Sequence, residues 1–144
     1  MPTRTARTAW DGGLLDGGGQ VELTTSGVGT FDVSWPRRSE EDAKGVTSPE
    51  ELVAAAHSSC FAMQLSAEIA DAGGTPQTLE VTASVDFGQV EGGFGVTGIT
   101  LKLRGEVEGL DADGFAKAAE AAKVGCPISK ALEAVPISLE ILPD

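Results

Sequence analysis

The chain has 144 residues, 41% of them hydrophobic and 5% aromatic, with no tyrosine and a formal charge of −12. That length suits one domain over 1–144 with a core of its own. With 10 Lys and Arg against 22 Asp and Glu, the field repels phosphate backbones and anionic bilayers, so nucleic acid and membranes are poor partners. The scarcity of rings argues against a stacking platform for single strands. No run approaches the ~20 apolar residues that span a bilayer, and no apolar stretch follows Arg4 and Arg7, so a cytoplasmic protein without a signal peptide is expected. Thiols there rest reduced, and a disulfide is usually catalytic or sensing.

In chain order, Gly12-Gly13 and Gly17-Gly18-Gly19 mark tight turns. Strands are expected over Gln20–Thr25 and Gly29–Trp35, the second with Phe31, Val33 and Trp35 alternating. A charged loop follows from Arg37 to Gly45. Ser48-Pro49-Glu50-Glu51 is a strong helix start: serine caps, proline suits the first turn, and carboxylates meet the positive end of the dipole. This central helix should run to about Ala72, where Gly73-Gly74 stops it. Its expected apolar face is Leu52, Ala55, Ala56, Ser59, Cys60, Met63 and Ala67, and its many alanines suggest packing all round.

Two long strands come next, with Leu79, Val81, Ala83, Val85 and Phe87 alternating in one and Ile99, Leu101 and Leu103 in the other. Glu91-Gly92-Gly93 reads as their hairpin turn. Asp111 or Asp113 starts a helix with Phe115, Ala118, Ala119 and Ala122 inward, ending at Gly125. A short helix over Pro127–Glu133 and a strand over Pro136–Leu142 complete the chain. The order is a strand-and-turn region, helix, two strands, two helices, strand. That is an α+β fold, with antiparallel sheets wrapped on the central helix.

Cys60 and Cys126 are the chain's two cysteines. A thiol is a useful nucleophile only as thiolate, and its pKa of about 8.5 falls beside cations or at helix starts. Cys126, just before Pro127, stands at a helix start where free amides favour negative sulfur. Cys60 lies mid-helix and needs a cation from elsewhere, Arg37 and Arg38 being nearest in sequence. The residues alone leave open that both are buried structural cysteines. Zinc is poorly supported, since no paired Cys spacing exists. His57 and Cys60, three apart, share a helix face, so a Cys–His nucleophile pair also stays open.

The segment Ser48-Pro49-Glu50-Glu51-Leu52-Val53-Ala54-Ala55-Ala56-His57-Ser58-Ser59-Cys60-Phe61-Ala62-Met63 resembles the N-P-E-E-L-x-x-A-A-H-x-x-C-F-x-M motif of the OsmC/Ohr family. Gly125-Cys126-Pro127-Ile128-Ser129 is similar to its second motif, G-C-P-V-S. His57 and Ile128 resemble the OsmC branch; the other branch favours aromatic residues there and an arginine in the first Gly-rich turn, which 12–19 lacks. The resemblance implies a thiol-dependent peroxidase that reduces organic hydroperoxides, and hydrogen peroxide more weakly. Cys60 would be peroxidatic and Cys126 resolving, passing through a sulfenate and a Cys60–Cys126 disulfide. A dithiol such as a lipoyl group would regenerate the thiols, with no metal, haem or flavin. Glu50 matches the family's active-site glutamate and would hold an arginine. Arg38 is preferred, since Arg38-Ser39-Glu40 is similar to the family's R-F-E, and Arg37 stays open.

Ten helical residues separate Glu50 from Cys60, about 15 Å of rise, which favours an intertwined two-fold homodimer with shared sites. A disulfide also requires that Cys126 abut the central helix, with both cysteines largely buried in an apolar pocket and Phe61, Met63, Phe87 and Leu132 as candidate walls. The rival readings are a non-catalytic small-molecule binding or redox-sensing protein of the same fold, and a protein disulfide oxidoreductase. The second of these would need a closely spaced exposed cysteine pair.

Overall fold

A turn at Gly12, φ +90, opens the first hairpin of the computed structural model, which describes residues 1–143. The residues group into two compact units, Met1–Leu52 and Val53–Asp144. In the first, β1 (Arg7–Asp11), β2 (Gly18–Glu22) and β3 (Thr30–Val33) form an antiparallel meander in that order. β2 ends earlier than expected because a turn closes with Gly27 N–H donating to Leu23 O, while Thr24 and Thr25 bond to Thr5 O. β3 stops at Val33 because Ser34 caps a short helix, α1 (Trp35–Ser39), accepting from Arg37 N–H ahead of Pro36. The expected charged loop therefore begins as a helical turn: Ser-x-Pro outweighs the strand alternation. Val21 is the one apolar side chain buried in this unit among the described residues.

α2 (Pro49–Asp71) starts at the end of this unit and runs through the second. Ser48 Oγ accepts from Glu51 N–H, as expected of a cap. At its other end Gly73, φ +90, and Gly74 donate to Ala70 O and Ile69 O, a Schellman closure that needs a left-handed residue. In the second unit β4 (Thr75–Val90) and β5 (Gly93–Glu108) pair antiparallel across Glu91-Gly92. α3 (Ala112–Gly125) and α4 (Pro127–Ala131) then carry the chain over to β6 (Ile137–Ile141). A crossover connection returns a strand in the same direction, so β6 pairs parallel with β5.

The core of this unit joins Phe61, Leu65 and Ile69 of α2 to Leu101 and Leu103 of β5 and to Ala118, Ala119 and Ala122 of α3. The face expected inward on α3 is the observed one, with Asp111 as its cap. The face expected inward on α2 is corrected. Ala55, Ala56, Ser59, Met63 and Ala67 are exposed, and Met63 keeps 73% of its surface. The helix is apolar on two sides, and the bulkier side fills the core because larger side chains remove more area from water. Met63 is therefore no wall of a buried pocket. Phe87 stacks on Phe94 at 5.6 Å.

Candidate active site

Two pairs of residues stand out, one in each unit. In the first, α1 ends with Arg37 and Arg38 and α2 begins with Glu50. Arg38 Nη2 donates to Glu50 Oε1 at 2.7 Å, and its Nε reaches both carboxylate oxygens at 3.1 Å. Glu50 is buried, and such a multidentate, charge-assisted contact fixes the plane of the guanidinium. Arg38 also lies over the Trp35 ring at 5.8 Å. Arg37 turns elsewhere, to Glu40 at 2.6 Å and to Asp42 O.

In the second unit Cys60 and Cys126 meet. Cys126 Sγ donates to Cys60 Sγ at 2.9 Å, and both are free thiols. Cys126 ends α3 and caps α4, so the helix junction holds its sulfur against α2. A Cβ at Gly125 would meet the tip of the Gln64 side chain, Nε2, at 3.3 Å. α3 ends at Gly125, as expected, and without a left-handed turn there. Cys126 is wholly buried, and Cys60 is largely so with part of its surface exposed. A substrate reaching this pair meets Cys60 first.

The two thiols lie 2.9 Å apart, so ionising one opposes ionising the other. Burial and the contact with Cys126 push the Cys60 thiol up, against the pull of the Ile128 N–H. Burial also pushes Cys126 up, but its contact with Cys60 and hydrogen bonding from Ser129 and Ile128 outweigh it and bring that thiol down.

His57 makes no hydrogen bond to Cys60. Its Nε2 lies 2.7 Å from Ser129 Oγ, and the ring is wholly buried. No Cys–His pair therefore forms. Burial lowers its pKa below the ordinary 6.5, so the ring is neutral. Ser129 stands in the sequence only as part of the motif Gly125-Cys126-Pro127-Ile128-Ser129. Its place three residues after the cap Cys126 is the available signal, since a side chain there can fold back on the cap.

The family model described as OsmC-like protein matches residues 41–140. The chain belongs to the OsmC-like family. Peroxiredoxin OsmC of Escherichia coli strain K12 is 42% identical over 125 residues, covering 87% of this chain and 86% of the relative. An organic hydroperoxide resistance protein of Xanthomonas axonopodis pv. citri is 36% identical over 86 residues, with 59% of this chain and 58% of that protein covered. A crystal structure of an organic hydroperoxide resistance protein from Elizabethkingia anophelis matches all of this chain and 98% of its own, with a TM-score of 0.80 at 28% identity. The α+β fold with two small sheets and a long helix is thus the OsmC-like fold, and the matched span contains Glu50, Cys60 and Cys126.

Proposed function

We propose that this OsmC-like protein is a thiol-dependent peroxidase that reduces organic hydroperoxides, and hydrogen peroxide more weakly, in the cytoplasm. The observation that carries the reading is the 2.9 Å contact between a partly exposed Cys60 and a buried Cys126. The names of the relatives, a peroxiredoxin and an organic hydroperoxide resistance protein, support the substrate class.

On this reading Cys60 thiolate attacks the distal peroxide oxygen. An S–O bond forms as the O–O bond breaks, sulfur gives up two electrons, and the leaving alkoxide takes a proton to become an alcohol. Cys126 then attacks the Cys60 sulfenic acid. The S–S bond forms, and hydroxide leaves as water with the Cys126 proton. A dithiol such as a lipoyl group returns both thiols by exchange. No metal, haem or flavin enters the cycle.

Cys60 is held high by its own surroundings, so the first step needs a cation. The Arg38 guanidinium, fixed by Glu50, is the group we assign to this task. The helical rise between Glu50 and Cys60 favours its delivery by a second copy in a homodimer.

Adding cumene hydroperoxide to the reduced protein should consume two thiols per chain, and a dithiol should restore them. Cys60→Ser should abolish the loss. Cys126→Ser should react once and then overoxidise. Unchanged thiol counts in the wild type, or equal consumption in Cys60→Ser, would reject the peroxidase.

A further inference from the structure

His57 and Ser129 are polar, buried and unused by the cycle above. His57 is fully covered and Ser129 is 5% exposed, and His57 Nε2 lies 2.7 Å from Ser129 Oγ. His57 stands three residues before Cys60 on α2, and Ser129 three residues after Cys126 in α4. Two neighbouring cross-links therefore join the same stretches of chain. One runs from Nε2 to Oγ, the other from Sγ to Sγ at 2.9 Å. The cycle makes and breaks the second and leaves the first alone.

The first is suited to hold the second in register. α4 is five residues long and buries Ser129. Apolar packing is non-directional and would let so short a helix roll, whereas a hydrogen bond has a preferred direction. Cys126 moves with this helix. Its N–H donates to Ala122 O of α3 at 2.9 Å, and its O accepts from Lys130 N–H of α4 at 3.0 Å. The bond also has one sense. His57 Nδ1 is buried with no hydrogen-bond partner among the described residues. A ring proton there would leave a buried N–H unmatched, a rare and costly state. With the proton on Nε2, the ring donates to Ser129 Oγ and Nδ1 keeps only a lone pair.

We propose that His57 and Ser129 are positioning residues for disulfide closure: the bond donated from His57 Nε2–H to Ser129 Oγ clasps α2 to α4 and holds Cys126 Sγ within reach of Cys60 once Cys60 has been oxidised. Its place in the cycle rests on the peroxidase reading; the clasp itself does not. The clasp decides the fate of the Cys60 sulfenic acid. Either Cys126 attacks it and water leaves, or a second hydroperoxide passes its distal oxygen to the sulfur, leaving sulfinic acid and an alcohol. Holding Cys126 close raises its effective concentration and favours the first outcome.

Nitrogen-15 spectra of the reduced wild type should place the ring proton on Nε2. A proton on Nδ1 overturns the proposal, and this arm needs no variant to fold. Ser129→Ala, His57→Phe and the two together test the clasp. The double variant leaves neither partner orphaned, so it is the one best able to keep the fold. In a dithiothreitol buffer, half-oxidation of the Cys60–Cys126 pair should need a ratio of oxidised to reduced reagent about fivefold higher in each, the worth of one net hydrogen bond. The cumene hydroperoxide concentration that converts half the chains to sulfinate, read by mass spectrometry, should fall by the same factor. The double variant should lose no more than a single one, since all three break one bond. Ser129→Thr keeps the hydroxyl, and the cavity of about 370 Å³ that Ser129 lines has room for its methyl, so wild-type values should return. Unmoved values in a folded variant, losses that multiply in the double variant, or a Ser129→Thr as impaired as Ser129→Ala each overturn the proposal. If the peroxidase reading fails, thiols survive cumene hydroperoxide while the spectra and the dithiothreitol arm still report the clasp. If the clasp fails, thiols are still consumed and the variants match the wild type.

Discussion

His57 shows how one buried side chain couples chemistry to stability. In the folded chain burial holds its pKa below the ordinary 6.5, and the ring is neutral. The unfolded chain regains the ordinary value, so between that value and the lower folded one it binds more protons. Stability therefore falls as pH drops below 6.5 and levels off once the folded ring itself protonates. The urea midpoint of the wild type should decline from neutral to mildly acid pH, and His57→Gln should decline less. Parallel slopes in the two proteins would assign the acid sensitivity to other groups. The arginine pair follows the same residue-level logic. Arg37 and Arg38 are neighbours with identical charge, but only Arg38 has its guanidinium across a buried carboxylate, and burial is what turns a surface ion pair of ~0–1 kcal/mol into a fixed orientation.

Among elements, the approach of α3 to β4 and β5 sets the position of Cys126, because α3 ends on it. Gly105 in β5 leaves the space that the Phe115 ring occupies: a Cβ there would stand 2.9 Å from Leu79 Cδ2 and 3.0 Å from Phe115 Cζ. Gly105→Ala is expected to cost about 1–3 kcal/mol by overpacking, read as a lower urea midpoint with an unchanged slope. Wild-type stability in this variant would mean that α3 shifts freely over the sheet. The α2 helix carries the complementary lesson. Its core side holds Phe61, Leu65 and Ile69 at helical spacing, while its other side offers alanines, Ser59 and Met63 to solvent.

For the molecule as a whole, that exposed alanine-rich side is the surface on which the proposed homodimer depends. Small side chains let two helices approach closely, and Met63 adds an apolar contact. Two copies also bring a charge of −12 each, so they repel at low salt and should associate more tightly as salt screens them. Light scattering should give twice the chain mass at micromolar concentration. Met63→Glu should shift the protein toward the single-chain mass and slow the loss of thiols to peroxide. A wild type that stays at single-chain mass across salt concentrations would count against the shared site.

Local chemistry is legible in the linear chain wherever neighbours in sequence are also partners. The Ser48 cap, the Gly73-Gly74 stop, the alternating hairpin strands and the alanine face of α3 are all such cases, because capping, left-handed closure and period-two burial act over a few residues. The motifs around Cys60 and Cys126 are local too, and they pointed to the OsmC-like family. The rest depended on which distant surfaces meet. Which side of an alanine-rich helix faces inward was decided by the sheet and α3 it packs on, since periodicity alone allowed either. Likewise, nothing in the chain order linked His57 to Ser129, 72 residues apart, because a hydrogen bond across a core exists only once the core has closed around it.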